Sequence, residues 1–323
     1  MEACIIVTYR CNAKCHMCNT WQYPSRPEDE ITPAVVEKLP GGLKFINITG
    51  GEPFLREDLP DIVRVALAKT RRLVISTNGY FTDRMVALAR QFPQIGVRIS
   101  IEGLPAANDR LRGMPDGFDR GLRSLLELRA LGLKDVGFGI TVSDVNAKDM
   151  IELYRLADAM GLEFATASTH NSYYFHKNDN MFRDPEMIAR EFEKISCELL
   201  KTRRVKNWFR AYFNHGMANY VRGGKRLLPC EVGTDMFFLD PYGRMLPCNG
   251  MDQEMPLGDL TKQTFAEIWN SPRAEEVRAS VKRCAKNCWM IGSVAPAMKK
   301  DMLTPLKWII RQKLGATTEC RGA

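Results

Sequence analysis

The stretch TYRCNAKCHMCNTW, residues 8 to 21, gathers three of the chain's ten cysteines, Cys11, Cys15 and Cys18, into eight consecutive positions. Three residues separate the first pair and two the second, which brings three thiols round one point. An iron-sulfur cube has four irons, so three thiolates leave one iron without a protein ligand and open to a small molecule. A zinc site completed by His16, His170 or a distant cysteine fits the same loop.

Outward from the loop, apolar β-rich runs recur between segments of helical period. The runs are residues 3–9, 44–50, 72–78, 97–103, 136–142 and 162–169, with amphipathic segments near 32–39, 58–69, 82–92, 117–131 and 147–160 between them. Nearly continuous hydrophobic strands alternating with helices predict a parallel sheet covered on one face, an α/β fold of the partial (β/α)6 TIM-like barrel type. In such a fold reactive residues gather where strands end. The cysteine loop follows the first strand, GGEP (50–53) the second, STNG (76–79) the third, SIEG (100–103) the fourth, TVSDVN (141–146) the fifth and THNSYYFH (169–176) the sixth. All six therefore belong to one mouth.

After residue 180 the pattern turns helical, and a cysteine-bearing α+β module follows in which MFFLDPYGRMLPC reads as two short strands joined at Asp240 to Gly243. The expected organisation is a barrel over 1–180, a helical connector over 181–225, an auxiliary module over 226–295 and a basic tail over 296–323.

Composition is that of a chain with a real core, 45% hydrophobic and 26% charged, and disorder is excluded. No run is long enough to span a bilayer and no signal peptide is legible, so a reducing cytoplasm is expected, where clustered cysteines bind metal rather than form disulfides. The net charge of +8 favours anionic partners without choosing among them.

With the CxxxCxxC loop, GGEP at the next strand end and a partial barrel behind both, residues 3 to 175 resemble the radical S-adenosylmethionine (SAM) superfamily. The resemblance implies that Cys11, Cys15 and Cys18 hold a [4Fe-4S] cluster whose open iron takes SAM, and that an external one-electron reductant of the flavodoxin or ferredoxin type drives SAM cleavage to a 5'-deoxyadenosyl radical. Gly50, Gly51, Glu52 and Pro53 match the motif whose backbone lies against the SAM amino group. Ser76, Asn78, Ser100 and Glu102 match positions that contact ribose and the methionyl part, Arg112 a position that meets the carboxylate, and Ile140 one that packs on adenine. Met17 stands where the family usually has an aromatic residue before the third cysteine, and its polarizable sulfur can still cover a ring.

Cys230, Cys248, Cys284 and Cys288 look like the SPASM/twitch extension of part of that superfamily. A full SPASM module uses about seven cysteines for two clusters; four can fill every site of one closed auxiliary [4Fe-4S] cluster. A structural Cys4 zinc is the alternative. Cys4 is expected to be plain core, away from the mouth, and Cys197 and Cys320 are the thiols left over as hydrogen-atom donors.

The sixth strand end offers His170, Tyr173 and His176 as catalytic candidates, since neutral imidazole or phenol can take a proton once a substrate radical forms. One auxiliary cluster and a chain that starts at its first strand favour a small or carrier-linked substrate, a sugar, cyclitol or glycan precursor, undergoing dehydrogenation or epimerisation. A peptide or protein maturase is the alternative, and an iron-sulfur electron carrier or redox sensor is the alternative of another class. Nucleic acid is not expected as a partner. The tail sets Leu303, Leu306, Ile310 and Leu314 on one helical face beside Lys299, Lys300, Lys307, Arg311 and Lys313, a pattern that docks on the protein or lies peripherally on an anionic membrane.

Overall fold

The computed structural model describes residues 1–251 and 253–315. Six parallel strands, β1 (Glu2–Ile6), β2 (Phe45–Thr49), β3 (Leu73–Thr77), β4 (Gly96–Ser100), β5 (Asp135–Val142) and β6 (Glu163–Ser168), occupy the six apolar runs. Helices α1 (Pro33–Glu37), α2 (Leu59–Lys69), α3 (Thr82–Gln91), α4 (Pro105–Arg112), α5 (Gly117–Ala130) and α6 (Met150–Ala159) lie between them. The helix α4 was not expected from periodicity. Its signals are at its ends: Pro105 in the first turn and Gly113 just past the last, at φ +55°.

Strand alternation divides the sheet into two faces. Ile46, Ile48, Ile75, Val97, Ile99, Phe138 and Ile140 join the core beneath the helices. Asn47, Ser76, Ser100, Gly139 and Thr141 alternate with them, half-buried, on the concave face. On the edge strand β6, Ala165 on that face is exposed.

The rest of the chain supplies α7 (Pro185–Lys201), α8 (Val205–Val221), β7 (Met236–Leu239), β8 (Arg244–Leu246), β9 (Gly258–Asp259), α9 (Phe265–Trp269), α10 (Pro272–Lys282), α11 (Ile291–Lys300) and α12 (Leu303–Leu314). The sheet runs β6-β5-β4-β3-β2-β1-β7-β8-β9, with β7 parallel to β1. The C-terminal module thus extends the barrel's own sheet. β7 and β8 turn at Asp240–Gly243 as the sequence predicts: Gly243 sits at φ +86° and the Asp240 carboxylate accepts the Tyr242 and Arg244 amides. The expected tail boundary at 296 falls inside α11, which runs through Pro296.

A second cluster, Cys4, Ile6, Tyr9, Tyr174, Met236, Phe238 and Leu246, fills the concave side of β1, β7 and β8. Cys4 is therefore core, as expected, but on the inner face of the barrel rather than under the helices.

Candidate functional site

The cysteine loop leaves β1 already anchored. The Thr8 and Ser25 hydroxyls donate to the buried Glu30 carboxylate, which also takes the Arg10 guanidinium at 2.8 Å. Further along, the Lys14 amide donates to the Arg112 carbonyl at 3.0 Å and the His16 amide to that of Leu111 at 2.8 Å. These carbonyls end α4 and have no donor inside the helix, so the loop caps it. Gly113 makes the approach possible, because a Cβ there would lie 2.6 Å from the Lys14 carbonyl oxygen. Asn78 Nδ2 completes the frame with a 2.7 Å bond to Asn12 Oδ1, a contact for which the sequence carries no signal. Burial pushes the Cys11 thiol up to about 12 and raises Cys15, so both are protonated until a metal displaces the protons.

Gly50 and Gly51 serve this frame. A Cβ on Gly50 would lie 2.5 Å from the Thr8 carbonyl oxygen, and one on Gly51 2.2 Å from that of Arg10. The close approach of the loop root is by itself a reason for glycine here, beside the one that the SAM resemblance implies. Glu52 is likewise occupied: fully buried, it accepts from the Asn78 amide at 2.7 Å, Thr77 Oγ1 at 2.8 Å and the Phe54 amide at 3.1 Å. It ties the end of β2 to that of β3, and Pro53 opens the short turn Pro53–Leu55 behind it. Ser76 Oγ donates to Asn47 Oδ1 at 3.0 Å, and Ser76 and Ser100 are half-buried on the concave face.

Arg112 lies under the loop with Nη1 3.1 Å from Glu102, whose carboxylate also accepts the Thr141 amide. Its Nε is buried with no partner. Burial works against the guanidinium charge; Cys15 and Cys11, once their protons are displaced, and the Glu102 and Glu52 carboxylates hold it on. A charged donor with a free N–H beside Cys15 and Cys11 is suited to a carboxylate ligand. Ile140 does not reach this space: it is 2% exposed in the helix-side core, and its neighbours Gly139 and Thr141 face the concavity. The adenine contact expected of it is corrected by strand parity. Met17 is half-buried, and its carbonyl accepts from Asn180 Nδ2 at 3.1 Å.

The loop after β6 joins this centre to the second one. The buried Tyr174 donates its hydroxyl to the Gly50 carbonyl at 3.2 Å, whereas Tyr173 donates to the Cys248 carbonyl at 3.1 Å and Ser172 to that of Asn249. His170 faces the Ser168 carbonyl through Nδ1 at 3.4 Å, while Nε2 is buried without a partner. Burial lowers its pKa, so it is a neutral imidazole at pH 7. His176, at φ +48°, stands on the rim with its ring stacked on the exposed Tyr23 at 4.0 Å. The three candidates are thus split, with two inward and one at the edge.

Cys230, Cys248, Cys284 and Cys288 line a single cavity of about 920 Å³. Burial pushes Cys248 up to about 12 and raises Cys288. Trp289, next to Cys288, is 1% exposed and donates Nε1 to the Phe213 carbonyl at 2.9 Å, in a niche that exists because Gly216 has no side chain. Donor sets of thiols alone are the chemistry that iron-sulfur clusters take, three at the loop and four round the cavity. Cys197 is buried on α7. Cys320 lies outside the described residues.

A parallel partial barrel with a three-thiol loop at its mouth, and a second thiol set beside it, defines the class of iron-sulfur enzymes that cleave SAM. Comparison with known proteins agrees. The radical SAM superfamily model matches residues 5–157 and an iron-sulfur cluster-binding SPASM domain model matches 230–289. The chain is 34% identical to Fe-coproporphyrin III synthase of Methanosarcina barkeri, over 88% of this chain and 79% of that protein. It is 28% identical to pre-heme d1 synthase of Dinoroseobacter shibae, over 82% and 72%, and 24% identical to the sporulation killing factor maturation protein SkfB of Bacillus subtilis, over 89% and 68%. Among solved structures, anSMEcpe with bound AdoMet shares the fold at a TM-score of 0.63 and 15% identity, covering 96% of this chain and 98% of its own. The chain belongs to the SPASM-containing radical SAM enzymes, whose cofactors are SAM on a [4Fe-4S] cluster and an auxiliary iron-sulfur cluster.

Proposed function

We propose that this enzyme modifies a carboxylate-bearing porphyrin-type macrocycle by abstracting hydrogen from it. The observation that carries the reading is the 34% identity, over 88% of the chain, to a protein named Fe-coproporphyrin III synthase. The inner surface supports it, because Gly139, Ala165 and Ala167 leave β5 and the edge strand β6 without bulk, as a broad, flat substrate needs. The relatives favour this over the sugar, cyclitol or glycan precursor that a single auxiliary cluster suggested.

In this reading Cys11, Cys15 and Cys18 hold the SAM-binding cluster, and Cys230, Cys248, Cys284 and Cys288 the auxiliary one. With SAM, the first cluster supplies a carbon radical able to abstract hydrogen from substrate. Arg112 Nε, held by Glu102, receives the SAM carboxylate, while Ser76 and Ser100 offer hydroxyls on the concave face. His170, neutral with Nε2 free, takes a proton released from substrate. Tyr173 fixes the segment carrying Cys248, and the Tyr23–His176 pair gives the rim a flat aromatic surface.

The second reading, a peptide maturase, is favoured by the likeness to SkfB across 89% of the chain. Release of 5'-deoxyadenosine, driven by dithionite, separates the two. Stimulation by iron coproporphyrin over the substrate-free rate supports the first. Stimulation by a peptide but not by porphyrin selects the second, and no stimulation by iron-bearing or metal-free porphyrins overturns the first.

A further inference from the structure

The helix α12 presents two unlike faces. Pro305 and Ile309 are buried, and Trp308 packs against α8, its ring 4.8 Å from His215 and 5.7 Å from Tyr212. On the opposite side Leu303 (66% exposed), Leu306 (43%), Ile310 (45%) and Leu314 (81%) point to solvent, with Met302 exposed just before them. At 100° per residue these four leucine and isoleucine positions form one stripe. Lys307 and Arg311 flank it on one side and Lys313 on the other, and α12 carries no carboxylate. Lys313 Nζ lies 3.8 Å over the Trp208 ring, which sets the end of α12 beside the start of α8. There Lys201, Arg203, Arg204 and Lys206 surround an exposed Val205. Glu198, Asp158 and Glu163 bridge three of those four cations, and the surface remains basic.

We propose that this face is a docking surface for an anionic lipid bilayer, with the α12 stripe entering the interface and the flanking cations meeting phosphate headgroups. Apolar side chains left in water at helical spacing, bordered on both sides by Lys and Arg, have the form of an interfacial helix lying in the membrane plane. Charge decides between occupants: a second copy would set a basic face against a basic face, and an anionic surface complements it. Docking is peripheral, since no described helix is long and apolar enough to cross a membrane. The inference is independent of the substrate.

The test is co-sedimentation of the full chain with vesicles of phosphatidylcholine alone and of phosphatidylcholine mixed with phosphatidylglycerol. Binding to the mixed vesicles, absent on the neutral ones and weakened by salt, is expected. L306Q with I310Q removes it, and K307E with R311E weakens it by about fivefold or more per charge. These side chains are exposed, so circular dichroism and iron content of both variants should match the wild type. Equal binding to both vesicle types, no binding, or a concentration-dependent dimer abolished by L306Q with I310Q overturns the proposal.

Discussion

The two cysteine centres share one sheet and are built on opposite principles. The loop of Cys11, Cys15 and Cys18 is fixed by protein contacts at every turn: Glu30 at its root, the α4 carbonyls beneath it and Asn78 at its side. The four C-terminal cysteines surround a cavity of about 920 Å³ and come from segments outside strands and helices, with Trp289 as the deep anchor. A centre that must accept and release a small molecule needs a frame that holds its shape without it. A closed centre can instead let its cluster supply the cross-links that order the chain.

The largest effect expected is at the frame of the first centre. Arg112→Ala leaves Glu102 buried without its cation, at a cost of about 3–5 kcal/mol. It should raise the SAM concentration needed for cleavage well over tenfold, whereas Glu102→Gln, with Arg112 kept, should do less; equal SAM dependence in wild type and Arg112→Ala would remove Arg112 from the ligand site. At the second centre, Trp289→Ala should cost about 3–5 kcal/mol and halve the iron content while SAM cleavage without substrate survives. Loss of that cleavage as well would mean that the two centres are not separable.

Smaller effects sharpen the contrast. Burial lowers the pKa of His170 below its ordinary 6.5, so the folded state prefers the neutral ring. Its stabilising contribution is complete above pH 6.5 and is lost as pH falls, by up to about 1.4 kcal/mol per pH unit. His170→Phe should flatten urea-derived stability between pH 6.5 and 5; an unchanged slope would contradict the burial argument. Asp135, the first residue of β5 and so at the strand end opposite to the cysteine loop, is held down to about 2, burial opposing and Arg72 and Arg98 prevailing. Its contribution is present above the unfolded carboxylate pKa and fades as pH drops through about 2. Asp135→Asn should cost about 1 kcal/mol at pH 7 after allowance for solvent and leave iron and SAM cleavage untouched.

The legible part of the molecule was that written in local spacing. Six apolar runs became six parallel strands, and the Asp240–Gly243 turn fell where Asp, Pro and Gly set it. The reasons for individual residues were less visible, because they lie in contacts distant along the chain. GGEP reads as a ligand cradle, and its spacing does not tell that Gly50 and Gly51 also yield to Thr8 and Arg10 and that Glu52 bonds to the end of β3. Ile140 failed on parity, which one residue of register decides. The capping of α4 by the cysteine loop was hidden because α4 is short and polar, with only Pro105 and Gly113 to mark it. The link made by Tyr173 and Tyr174 between the centres depends on a β6 loop reaching Gly50 and Cys248 at once.

The most direct test of two separate centres is iron per chain after anaerobic reconstitution, with 5'-deoxyadenosine release, in a variant with Cys11, Cys15 and Cys18 all changed to alanine. The account predicts about four irons retained, on the C-terminal thiols, and no 5'-deoxyadenosine. Iron near zero, or SAM cleavage that persists, would contradict it.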